Sequence, residues 1–108
     1  MKRRGPILVN GRKYKIKRVT QKTMATLTDS EHEVYGLCDS DSTTIHIDKN
    51  LSDEADTGAL EHEVGHASCE ESGARSIISK FTDKGSELEE LLIRVWFPVW
   101  SAALKARK

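Results

Sequence analysis

An α+β fold is predicted for this 108-residue chain, and three observations carry the prediction. A hairpin signal stands near the start, β-branched alternation recurs up to residue 48, and apolar spacing then switches to the helical period. Strands first and helices after is the α+β order, here a small antiparallel sheet of about three to four strands followed by helices.

Each element has its own signal. Ile7-Leu8-Val9 and Tyr14-Lys15-Ile16-Lys17-Arg18-Val19 flank Asn10-Gly11, a dipeptide suited to the positive φ angles of a two-residue hairpin turn. Tyr14 and Ile16 alternate with lysines, so one face of that strand is expected inside and the other wet. Residues 20–31, rich in Thr, Asp and Ser, read as a loop or one irregular turn. A strand is expected over Glu33–Cys38, a turn over Asp39–Ser42 and a half-buried strand over Thr43–Asp48. Leu51-Ser52-Asp53-Glu54 then offers a staple residue, an N-cap serine and two acids for a first helical turn. Ala55, Ala59, Leu60, Val64 and Ala67 continue at helical spacing, and Gly73 marks a stop. Ala74–Phe81 reads as a short second helix. Ser86-Glu87-Leu88-Glu89 opens a longer one, with Leu88, Leu91, Leu92, Val95, Trp96 and Val99 as its apolar stripe and a kink at Pro98.

Size and composition bound the function. A chain of this length suits one domain over residues 1–108. With 37% hydrophobic and 31% charged residues it has the make-up of a globular protein rather than a disordered one. No apolar run approaches the ~20 residues that span a bilayer. Only Ile7-Leu8-Val9 follows the basic start, short of the roughly 7–15 apolar residues of a secretory signal, so a cytoplasmic protein without membrane attachment is expected. Cys38 and Cys69 cannot build a disulfide framework and read as thiols. The net charge is zero, yet residues 1–28 carry nine basic groups and no acid. Such a segment suits a nucleic acid, but without aromatic interleaving or a binding motif the simpler expectation is attraction between the two ends of the chain.

His62-Glu63-Val64-Gly65-His66 is an HExxH motif inside the first long predicted helix. Residues i and i+4 lie one above the other on a helix face, so both imidazoles reach one ion. Glu63, one position after the first histidine, approaches a water on the metal rather than the metal itself. A zinc ion lowers the pKa of such water to ~7, and the carboxylate then serves as general base. Gly65 permits a close approach by a strand or substrate. The pentapeptide arises by chance in a chain with these His and Glu frequencies on the order of 1% of the time.

A catalytic zinc needs a third protein ligand and an open position. Cys69 and Ser72 stand where the extended metzincin pattern requires Gly and His, which excludes that class. Glu70 is on the same straight helix and diverges from the ion. The last helix offers Glu87, Glu89 and Glu90, of which only Glu89 falls within the arc of Leu88, Leu92, Val95, Trp96 and Val99. Glu89 is therefore the preferred ligand and Glu90 the alternative, although Ser86 and Glu89 also form S-x-x-E, a capping box. Cys69, three residues past His66, is a further donor, but a thiolate there would close the site. His46, His32 and Tyr35 are candidates for oxyanion or substrate contact. Trp96 and Trp100 read as core or interface residues.

At these residues the chain resembles the short phage- and prophage-type members of the ImmA/IrrE-like (gluzincin) metallopeptidases. The resemblance runs from the Ile7–Ile16 hairpin through Tyr35-Gly36, Ile45-His46-Ile47-Asp48 and Leu60–Ala67 to Glu89–Val95. It implies a minimal zincin-like domain whose sheet edge lies beside the metal, with one zinc per chain held by His62, His66 and a helix glutamate, Glu89, and with Glu63 as base. Bulky Trp96 and helix-breaking Pro98 depart from the pattern. The function expected is hydrolysis of a peptide bond in a peptide or protein substrate, docked as a strand on the Thr43–Asp48 edge. The rivals are a binding or regulatory module that keeps zinc as a staple and a nucleic-acid-associated protein using the basic first 28 residues.

Overall fold

The structure, a computed structural model, describes residues 2–29 and 32–96. The element order is β1 (Ile7–Val9), β2 (Arg12–Val19), α1 (Gln21–Thr28), β3 (Gly36–Asp39), β4 (Thr44–Asp48), α2 (Asp53–Glu71), α3 (Ala74–Phe81) and α4 (Gly85–Leu91). A π-helical turn, Leu92–Trp96, continues α4. Among the described residues no helix is long and apolar enough to cross a membrane.

The hairpin forms where expected, with Asn10 at φ 49° and Gly11 at φ 83°, the two positive angles of a type I′ turn. The sheet order is β1-β2-β4-β3. It is mixed rather than antiparallel: β4 runs parallel to β2, pairing Lys15 with Thr44 through Val19 with Asp48, and antiparallel to β3. The chain leaves β2 through α1, ascends β3 at the sheet edge and descends β4 into the middle. Burial explains the placement. Ile45 and Ile47 are fully buried and join Val9, Tyr14, Leu60 and Ala67 in the core between the sheet and α2. The Thr43–Asp48 segment is thus a central strand with both edges paired, and a substrate strand cannot add there. The outer edge belongs to β3.

Residues 20–31 contain a helix, not only a loop. Thr20 Oγ1 accepts from the Thr23 N–H, Met24 is fully buried, and Asp29 closes α1 in the left-handed region. Burial of Met24 outweighs the weak helix propensity of the threonines. The third strand starts at Gly36 rather than Glu33.

Helix α2 begins as its sequence suggests, Ser52 Oγ accepting from the Ala55 N–H. Its first buried residue is Asp56, however, and Ala55 is exposed. Arg18 of β2 explains the difference, donating from Nε to Asp56 Oδ2 at 2.7 Å and from Nη2 to Oδ1 at 2.8 Å. At the other end of α2, Arg12 Nη1 donates to Glu71 at 2.9 Å. The basic first segment is thereby drawn onto acids of the later half.

Asp56→Ala is expected to cost about 3 kcal/mol, because it leaves the half-buried Arg18 guanidinium without its counter-charge. A paired Arg18→Met, Asp56→Leu variant should recover most of that loss. The bond from Arg18 holds the Asp56 carboxyl below its ordinary range. A depressed carboxyl stabilises the fold above its unfolded pKa of about 4, and the benefit is lost as pH falls through the folded value. Urea denaturation between pH 3 and 7 measures both effects, and an Asp56→Ala protein as stable as wild type would refute them.

Candidate metal centre

His62 and His66 project from the same face of α2, their ring centroids 5.0 Å apart. Glu63 turns toward β3 and is buried, 8% exposed. Gly36 makes that possible: a Cβ there would stand 2.9 Å from Glu63 Cγ and 3.0 Å from Oε2. Burial raises the Glu63 carboxyl to about 7, against the opposing pull of His66 and of the Cys38 N–H; nearby Glu90 raises it further. A proton is therefore held easily on this carboxylate near neutrality.

Helix α4 crosses the histidine pair. Gly65 sets the crossing distance, since a Cβ would lie 3.0 and 3.1 Å from Cγ1 and Cγ2 of Ile93. The close approach expected at Gly65 is thus made by the last helix, and the strand approaches at Gly36 instead. Leu88, Leu91 and Val95 of the expected apolar stripe are exposed, whereas Glu89 and Ile93 are buried. Two causes rotate the face. Room at Gly65 seats Ile93 inward, and the π turn from Leu92 breaks the 3.6-residue spacing on which the stripe relied. Val99, Pro98 and Trp100 lie outside the described residues. The capping box is not used as such, because α4 starts at Gly85 with Lys84 as its N-cap, placing Ser86 inside the helix.

The two candidate glutamates have different neighbours. Glu90 Oε1 is 2.7 Å from His66 Nε2, and its Oε2 is 3.3 Å from His62 Nε2. Donor atoms of His62, His66 and Glu90 all lie within 4.8 Å of one another. Glu89 instead faces the far side of His66, with Oε2 3.1 Å from Nδ1. It also accepts from Arg75, at 3.0 Å from Nε to Oε1 and 3.3 Å from Nη2 to Oε2. Burial alone would raise the Glu89 carboxyl, but the hydrogen bonds from Arg75 and His66 hold it below its usual range.

The donor set, two imidazoles and a carboxylate, could hold a metal ion. Bonds of about 2.0–2.1 Å in a tetrahedron put nitrogen and oxygen ligands roughly 3.3 Å apart, the separation between His62 and Glu90, whereas His66 and Glu90, at 2.7 Å, would have to part by about half an ångström to admit an ion. In addition, Glu90 Oε2 is buried with no hydrogen-bond partner among the described residues, although His62 and Arg94 stand 3.3 Å away. The ion pair with Arg94 supplies charge at that oxygen but no hydrogen bond, a contact that a bound metal ion would supply.

No known protein family, curated protein or solved structure matches the chain.

Other candidates are not brought to the histidine pair. Alternation along β4 sends Ile45 and Ile47 toward α2 and His46 to the opposite face, next to Lys17. Burial, with Lys17, lowers the His46 pKa. Tyr35 is half exposed and its hydroxyl donates to Glu33, while His32 is exposed. Cys69 is buried beside Glu89, its thiol pushed up to about 11 by burial and then by that carboxylate, which disfavours a thiolate ligand. Glu70 pairs with Arg75 at 2.6 Å. Arg75 itself carries no signal in the sequence, since its partners come from two other helices. Among the described residues, a cavity of about 800 Å³ opens beside His62, lined by Leu60, Val64, Gly65, Ile93 and Arg94 among others.

Proposed function

We propose that this chain is a zinc-dependent peptidase domain of the ImmA/IrrE-like kind its sequence resembles. What chiefly supports the reading is the convergence of His62, His66 and Glu90 on one point, with a buried carboxylate, Glu63, next in the motif. His62, His66 and Glu90 would hold the metal. When bound, zinc supplies a Lewis acid that polarises the scissile carbonyl and acidifies water to a pKa of about 7. Glu63 takes a proton from the attacking water as its oxygen bonds to the carbonyl carbon. It then delivers that proton to the amine nitrogen as the C–N bond breaks. Gly36 leaves room for that carboxylate, and the Cys38 N–H bonds to it. The substrate is an extended peptide, adding along the outer edge of β3, which pairs with no other strand among the described residues.

The test is cleavage of an unstructured protein such as casein, or of a mixed peptide library. Hydrolysis should disappear with a chelator and return on adding one equivalent of zinc. A chain that binds zinc, loses thermal stability when stripped and cleaves nothing would instead hold the metal as a structural staple.

A further inference from the structure

We propose that Arg75 is a positioning residue for this metal centre: its guanidinium fixes Glu89 against Nδ1 of His66, so that Nε2 of the same ring is presented to the ion. The inference rests on the metal-binding part of the proposed function, not on peptide cleavage.

The geometry carries it. Arg75 lies on α3, one turn beyond the end of α2, and forks onto three groups. Its Nε and Nη2 donate to Glu89, Nη1 donates to Glu70 at 2.6 Å, and Nη2 also donates to the His66 carbonyl at 3.4 Å. The guanidinium therefore ties the backbone of His66 and the carboxylate behind its ring into one unit. Glu89 is 7% exposed and has Arg75 on both oxygens, so it stays an acceptor. The partner nitrogen must then donate, which keeps a proton on Nδ1 and makes Nε2, which faces Glu90 and His62, the nitrogen that gives up its proton to an ion. A carboxylate behind a ligating imidazole fixes its tautomer and ring orientation and raises its basicity. Glu89, the ligand expected from the sequence, acts here through His66 rather than on the metal. A lysine cannot replace Arg75, because one ammonium does not span both oxygens of Glu89 and the backbone carbonyl together.

The experiment is zinc affinity by competition with a chromogenic chelator, measured beside the thermal stability of each metal-free variant. Arg75→Ala and Glu89→Gln should each weaken zinc binding about 10- to 100-fold. Their double variant should be little worse than the weaker single, since both act through one ring. Arg75→Lys should recover only part of the loss. Glu70→Gln, which removes a different arm of Arg75, should stay near wild type. Wild-type affinity in Arg75→Ala overturns the proposal, as does a loss in Glu70→Gln equal to that in Arg75→Ala. Should the variants not fold, the zinc-loaded wild type still decides. Its ring ¹⁵N spectrum should show a slowly exchanging proton on Nδ1 of His66, and a freely exchanging one refutes the arrangement. Zinc binding without peptide cleavage would sink the peptidase reading alone, whereas a wild-type chain that takes up no zinc sinks both.

Discussion

Glu63→Gln is expected to keep the fold and the metal while reducing peptide hydrolysis at least about 100-fold, the usual loss when a general base is removed. Glutamine has nearly the same shape and fits under Gly36, where a Cβ would come within 3.0 Å of the Glu63 carboxylate. Its amide cannot accept a proton from water, so the chemical step suffers while packing persists. The Glu63 side chain lies outside the converging donor group of His62, His66 and Glu90, which is why zinc content should not change. Two measurements decide the matter, zinc per chain and initial rate on the same preparation. Equal rates for variant and wild type would remove Glu63 from the proton transfer, and loss of zinc in Glu63→Gln would make it a ligand. A second substitution checks the fit: Gly36→Ala should disturb Glu63 without touching any donor, and so depress the rate while zinc stays bound.

His66→Ala should produce the largest fall in zinc affinity. Four-ligand zinc sites are worth about 10–16 kcal/mol, so one ligand carries roughly 3 kcal/mol, a factor of about 150. His66 has more to lose than that average, because its ring also connects Glu89 to the site through Nδ1. Glu90→Gln should follow closely, since it removes the only carboxylate among the three converging donors. Glu89→Gln should lose less than either. Isothermal titration or chelator competition orders the three. An order in which Glu89→Gln is the more damaging of the two glutamate variants would make Glu89 the third ligand. Wild-type protein free of metal after a chelator-free preparation would end the zinc reading altogether.

The sequence by itself determined what depends on near neighbours. Asn10-Gly11 specifies its turn through two backbone angles, Ser52 starts α2 through a bond three residues away, and HExxH aligns two imidazoles through the helical repeat alone. The α+β class and the short helix Ala74–Phe81 were legible for the same reason, although α1 interrupts the expected run of strands. Tertiary structure decided what depends on which surfaces meet. β4 became central because Ile45 and Ile47 are the residues that α2 covers, and Asp56 became a core residue because Arg18 arrives from another element. Neighbouring residues on a helix point about 100° apart, so a modest rotation chooses between Glu89 and Glu90. That rotation is set by Ile93 seating on Gly65 and by the π turn behind it, not by the apolar spacing of α4 itself. Arg75 could not be singled out in advance, because hydrogen bonds linking three helices leave no period along the chain.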